Sequence, residues 1–204
     1  MDRFEEVSKG EVMTVAKPEL TKELMAKTLK ELMKIKPLDK ISVQEIVEAC
    51  GLNRKTFYYH FRDKQALVSW IFDHEYASLT DVNQNNSTID ELIEHLYKNR
   101  EFYIAALTSN AQNNLREHLF QIVNDALTER ISFLLGPSSL PPKKTSMIAH
   151  YFSHALIGSL TEWAKGGMKT SPDEEIIDFH QITQDCLVFI VDQHRSLRVT
   201  PVKG

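Results

Sequence analysis

Apolar positions recur at three- and four-residue intervals along most of the chain, and no stretch sustains the alternation of a strand. Met25, Leu29, Leu32 and Met33 fall at i, i+4, i+7 and i+8, which predicts a helix from Glu19 to Ile35, ended by Pro37. Val43, Ile46 and Val47 mark one face of a short second helix. Ser42 and Glu45 stand at the spacing of a capping box, in which each side chain satisfies a backbone N–H that the first turn leaves over. Gly51 closes that helix, and Asn53 caps a third that opens with Arg54, Lys55 and Thr56. From Lys64 the series Leu67, Val68, Ile71, Phe72, Tyr76 and Leu79 predicts a long helix to about Thr80. Asp81 to Thr88 is polar and unperiodic, the pattern of a loop and of a domain boundary.

Beyond that boundary four further helices are expected: Ile89 to Ser109, Asn114 to Leu135, Lys143 to Gly166 and Pro172 to Arg195. Gly136 to Pro142 breaks the second from the third, and Gly166-Gly167 stops the third. Ser171-Pro172-Asp173 starts the fourth, with proline and acids suited to a first turn. The last two are apolar over more of their circumference than one core face requires. That excess predicts a two-fold four-helix bundle between two copies, with Ile157, Leu160, Thr161, Ile182, Cys186 and Phe189 at the interface. The fold class is all-α.

Composition adds bounds rather than identity. The chain has 204 residues, 42% hydrophobic and 25% charged, as in ordinary soluble domains. Its two cysteines, Cys50 and Cys186, lie far apart, which suits a reduced cytoplasmic setting. No apolar run is long enough to cross a bilayer, so no membrane partner is expected. The net charge of −4 hides an asymmetry, since residues 17–70 carry eleven Lys/Arg against seven Asp/Glu, and the remainder is acidic. A basic N-terminal segment on an acidic body attracts phosphate to one surface.

Helix, glycine turn and a second helix opening with donor side chains is the plan of a helix-turn-helix. The run Thr56-Phe57-Tyr58-Tyr59-His60-Phe61, with Gly51 ahead and Asp63-Lys64 behind, resembles the N-terminal domain of TetR-family transcriptional regulators. Phe57 and Phe61, four apart, should face inward. Thr56, Tyr58 and Tyr59 should face DNA beside Lys55, although Tyr59 also suits the core. The resemblance implies backbone contacts from His60 and Lys64, a groove-edge contact from Gln44, and an operator preference set by Asn53, Arg54 and Lys55. It further implies an arm (1–16), a DNA-binding domain (17–65), a connecting helix (66–80) and an effector-binding and dimerisation domain (89–197). The C-terminal half, through Gly158 and Trp163 to Gly167, is similar to a Firmicute-type subgroup that includes activators of dihydroxyacetone kinase operons.

The expected partners are therefore a pseudo-palindromic double-stranded DNA operator, a second copy of the chain, and either a small-molecule effector or a protein co-regulator. Leu96, Tyr103, Leu107, Leu119, Val123 and Phe152 are candidate pocket-liners, chosen because they are apolar or aromatic on the central helices. Whether binding represses or activates depends on where the operator lies relative to the promoter. Enzyme chemistry has no foothold, and no cofactor is expected. His150 and His154 stand one turn apart with no adjacent zincin glutamate, which favours interface or core histidines over metal ligands. His95 and His118 suit either a ligand contact or a surface, and Cys186, among apolar neighbours, suits burial.

Overall fold

A computed structural model describes the backbone of residues 12–80, 88–112, 114–135 and 140–199, and no strand occurs among them. Among the described residues nine α-helices run in order: α1 Val12–Met33, α2 Val43–Ala49, α3 Arg54–His60, α4 Lys64–Thr80, α5 Thr88–Lys98, α6 Arg100–Thr108, α7 Leu115–Leu135, α8 Pro142–Lys165 and α9 Pro172–Val199. A 3-10 turn at Leu38–Lys40 follows α1. The expected loop at 81–88 and the break at 136–142 fall mostly outside the described residues. So does most of the expected arm, although α1 already begins at Val12.

The chain divides into two compact units, Met1–Phe72 and Asp73–Gly204, so the division falls inside α4 rather than in the polar stretch after it. In the first unit Met25, Leu29, Ile46, Val47, Phe57, Phe61, Leu67, Val68 and Ile71 are all buried. Each large side chain removed from water contributes on the order of 1.5–3 kcal/mol, which is what lets so small a unit hold together. Local signals set their ends. The Ser42 hydroxyl accepts from the Glu45 N–H while the Glu45 carboxylate accepts from the Ser42 N–H, completing the capping box. At the far end of α2, Leu52 N–H reaches Val47 O (2.8 Å) and Gly51 N–H reaches Glu48 O (3.1 Å). This is a Schellman closure, and it needs Gly51 at φ +68°.

In the second unit α8 packs on α6 and α7, and α9 lies chiefly along α5. The single helix expected from Ile89 to Ser109 is two. Asn99 leaves helical geometry at φ −114°, ψ 32°. Its side-chain amide donates to His95 O (3.3 Å), capping α5, and its own carbonyl starts α6 by accepting from Phe102 N–H (3.0 Å). The break carries no glycine or proline, so spacing alone did not reveal it. Asn114 caps α7 by accepting from the Arg116 and Glu117 N–H groups, and Ser171 caps α9 by accepting from Glu174 N–H.

Candidate nucleic-acid interface

The first unit presents α3 as an open row of donors. Phe57 is fully buried and Phe61 nearly so, which fixes the opposite face of the helix outward. Asn53, Arg54, Lys55, Tyr58 and Tyr59 are exposed there, and Thr56 is half-exposed. Tyr59 is 80% exposed, which removes it from the core. The Asn53 side chain is occupied as the cap of α3, accepting from Thr56 N–H (2.9 Å) and from the Thr56 hydroxyl (3.2 Å). Arg54 lies over the Tyr58 ring at 5.7 Å and donates to its hydroxyl (3.2 Å). This pair holds a guanidinium and a phenol together one turn into the helix, side by side at the surface. Gln44, exposed on α2, donates its amide to Glu48.

Two of the expected contacts turn out to be built into the domain. Lys64 donates to the carbonyls of Leu38 and Ile41 (2.6 Å for the latter), bracing the turn between α1 and α2 against the start of α4. Burial lowers its pKa, offset by the nearby Asp39 and Glu45. An ammonium has three donors, so the brace leaves one for another acceptor. His60 is half-exposed, edge-on to Tyr59 at 4.9 Å, and burial followed by the Lys22 charge lowers its pKa. The neutral imidazole is thereby favoured over a cation, which suits it to a hydrogen bond rather than a charge contact. The sequence could not reveal the Lys64 brace, because its partners are backbone oxygens 23 and 26 residues upstream.

The candidate pocket-liners of the second unit, Leu96, Tyr103, Leu107, Leu119, Val123 and Phe152, are all buried. Among them Tyr103 has a polar role that its selection as an aromatic did not anticipate. Its hydroxyl donates to a Glu75 carboxylate oxygen (3.2 Å) and lies 2.7 Å from His95 Nε2. Burial, then the Glu75 charge, pushes the phenol pKa far up, so it remains a neutral donor. Since its one proton goes to Glu75, the imidazole must donate to it. His95 is therefore buried and paired, not on the surface. His118 on α7 pairs with Asp73 at 2.7 Å. Glu75 and Asp73 both belong to the second half of α4, so α5, α6 and α7 all hold the same helix by polar contacts.

The expected interface residues separate. Ile157, Leu160 and Thr161 are buried inside the protomer, and the Thr161 hydroxyl donates to Ile157 O (2.6 Å). They are turned away from solvent, so they do not form an open face of the protomer. Ile182 and Phe189 are exposed, and so is Cys186, against the expectation of burial. Met147, Tyr151 and Ile177 are further exposed large side chains on α8 and α9. Among the described residues no group of three or more His, Cys, Asp and Glu could hold a metal, and no helix is long and apolar enough to cross a membrane.

A capped helix-turn-helix followed by an all-helical second unit is the architecture of helix-turn-helix transcription regulators. The family model described as "Bacterial regulatory proteins, tetR family" matches residues 27–70, and that described as "Transcriptional regulator C-terminal region" matches residues 84–185. The chain belongs to the TetR family of transcription regulators, which are not enzymes. Among curated proteins it is similar to the HTH-type dhaKLM operon transcriptional activator DhaS of Lactococcus lactis subsp. lactis, 29% identical over 127 residues. That match covers 59% of this chain and 65% of the relative, so the chain spans a little under two thirds of the relative's length. A solved structure, "Dihydroxyacetone kinase operon activator DhaS", has a TM-score of 0.58 at 23% identity and covers 85% of this chain and 97% of its own. At that identity the likeness is one of fold.

Proposed function

We propose that the chain acts as a homodimer that binds a pseudo-palindromic operator through α3 and is controlled at its C-terminal unit. The observation that carries this reading is the exposed row Arg54, Lys55, Tyr58 and Tyr59 on a helix whose other face is pinned by Phe57 and Phe61. Long cationic side chains and phenols reach both phosphate oxygens and base edges, and the Arg54–Tyr58 pairing reduces the freedom lost on docking. Two recognition helices would enter successive major grooves about 34–36 Å apart. The second copy would pack on the open apolar face of α9, Ile177, Ile182 and Phe189, with Met147 and Tyr151 of α8 beside it.

Control would act through α4. Its second half is held by Tyr103 and His95 through Glu75, and by His118 through Asp73, while its first half lies in the unit that carries α3. An effector that prefers one arrangement of these ties shifts operator affinity by as much as that preference and no more. The relative's name describes an activator, which favours activation as the output. An effector side that docks a protein co-regulator is the second reading, favoured by the six expected pocket-liners all being buried.

The test is fluorescence anisotropy with DNA from upstream of the chain's own gene at two salt concentrations, followed by selection from random sequences if that DNA fails. Sequence-dependent binding that weakens steeply with salt supports the reading. Tyr58→Ala should leave the fold and the dimer intact and weaken binding about tenfold, within the ~1–3 kcal/mol of a base-edge contact. Failure of both the upstream DNA and the selection would sink it.

A further inference from the structure

His150 and His154 belong neither to the DNA-facing row nor to the protomer core. Both are exposed on α8, but their rings are held rather than loose. Phe120 of α7 lies against them with ring centroids 5.0 and 4.5 Å away. The two imidazoles meet edge to face at 4.6 Å, and their Nε2 atoms are 3.1 Å apart. Two imidazole nitrogens bound to one ion at about 2.05 Å and a tetrahedral angle stand about 3.3 Å apart. The pair is therefore within a few tenths of an ångström of the bite that chelation needs, on one rigid helix turn. In the absence of an ion one ring donates to the bare nitrogen of the other, and that bare lone pair is the same donor a metal would use.

We propose that His150 and His154 form a bidentate site for one late first-row divalent transition-metal ion per protomer. Neutral imidazole favours this class over magnesium or calcium, and within it Cu2+ should bind more tightly than Ni2+ or Zn2+. Phe120 fixes both rings before the ion arrives, which lowers the ordering cost of closing the chelate. No third His, Cys, Asp or Glu joins the pair among the described residues, so water completes the coordination. Affinity should accordingly be micromolar, well short of a closed four-ligand site. The ion bridges two successive turns of α8, so it stabilises the folded protomer in proportion to its occupancy.

The test is calorimetric titration of the full, tag-free chain with Zn2+, Ni2+ and Cu2+ salts, with thermal unfolding in parallel. The unsubstituted chain and His118→Ala should each take up one equivalent and melt at a higher temperature with metal. His150→Ala and His154→Ala, both at exposed positions, should keep their metal-free helicity and bind about tenfold or more weakly, having lost one of two donors. His154→Gln keeps a hydrogen-bonding side chain without an imidazole and should bind as poorly as the alanine variant. Equal affinity in all these chains, or no binding by the unsubstituted chain at high micromolar metal, would overturn the proposal.

Discussion

α8 and α9 have similar apolar content and opposite environments. Along α8 the large apolar residues Phe152, Leu156, Ile157, Leu160 and Trp163 are buried, and the helix packs chiefly on α6 and α7. Along α9, Ile177, Ile182, Val188 and Phe189 are exposed, and the helix rests chiefly on α5. A helix enclosed by two neighbours spends its apolar surface inside the protomer, whereas one with a single main neighbour keeps a face open. Apolar circumference therefore signals burial without saying whose core does the burying.

The sharpest way to break this comparison is to place the same charge on each helix. Ile157 is 8% exposed, so Ile157→Asp buries an unpaired carboxylate, a change expected to cost about 4 kcal/mol and to lower the urea midpoint steeply. Ile182 is 66% exposed, so Ile182→Asp should leave the stability of the protomer within about 0.5 kcal/mol. If α9 carries the interface, the same change should weaken self-association in sedimentation by at least about tenfold. A pair of variants equally destabilised as protomers would erase the distinction between the helices. A fully dimeric Ile182→Asp would move the interface off α9.

Tyr103→Phe sharpens the comparison from the interior of the same unit. The ring stays, so packing is kept, but Glu75 loses a donor and His95 an acceptor. The expected loss is about 1–3 kcal/mol. If these contacts tie α4 to the effector-side helices, the variant should also respond less to whatever controls operator binding. Unchanged stability would mean that water replaces the hydroxyl without cost.

What could be read in advance follows the range of the interactions concerned. Ser42 with Glu45, Gly51, Asn53, and Phe57 with Phe61 act within a few residues of themselves, and the helices they define stand where their spacing put them. The end of α8 and the start of α9 were similarly legible from Gly167 and Ser171-Pro172, local stop and start signals. The break at Asn99 was not, because an asparagine between two charged residues carries no strong breaker signal. Nor were the Glu75–Tyr103–His95 contacts, whose members come from three helices and span 28 residues. The inward turn of Ile157, Leu160 and Thr161 depends on which neighbours α8 meets, and a one-helix pattern does not contain that.

The smallest expected effect tests the local end of this contrast. Glu45 accepts from Lys36, from the Ser42 N–H (2.8 Å) and from the Ser42 hydroxyl (2.8 Å). Those bonds, the Lys36 one first, lower its pKa from an ordinary 4.5 to about 2. Because the folded-state value is depressed, the contribution is fully present above 4.5 and is lost as pH falls toward about 2. Ser42→Ala removes the cap of α2 and one of the bonds to Glu45, and should cost about 1 kcal/mol at neutral pH. Its deficit should shrink as the pH is lowered through that window, since both proteins lose the carboxylate's contribution there. The measurement is a set of urea midpoints for both proteins from neutral pH down to the acid limit of folding. A deficit that stays constant across the window would mean that the Ser42 hydroxyl acts only as a helix cap and that Glu45 draws its stabilisation from Lys36 and the residue-42 N–H.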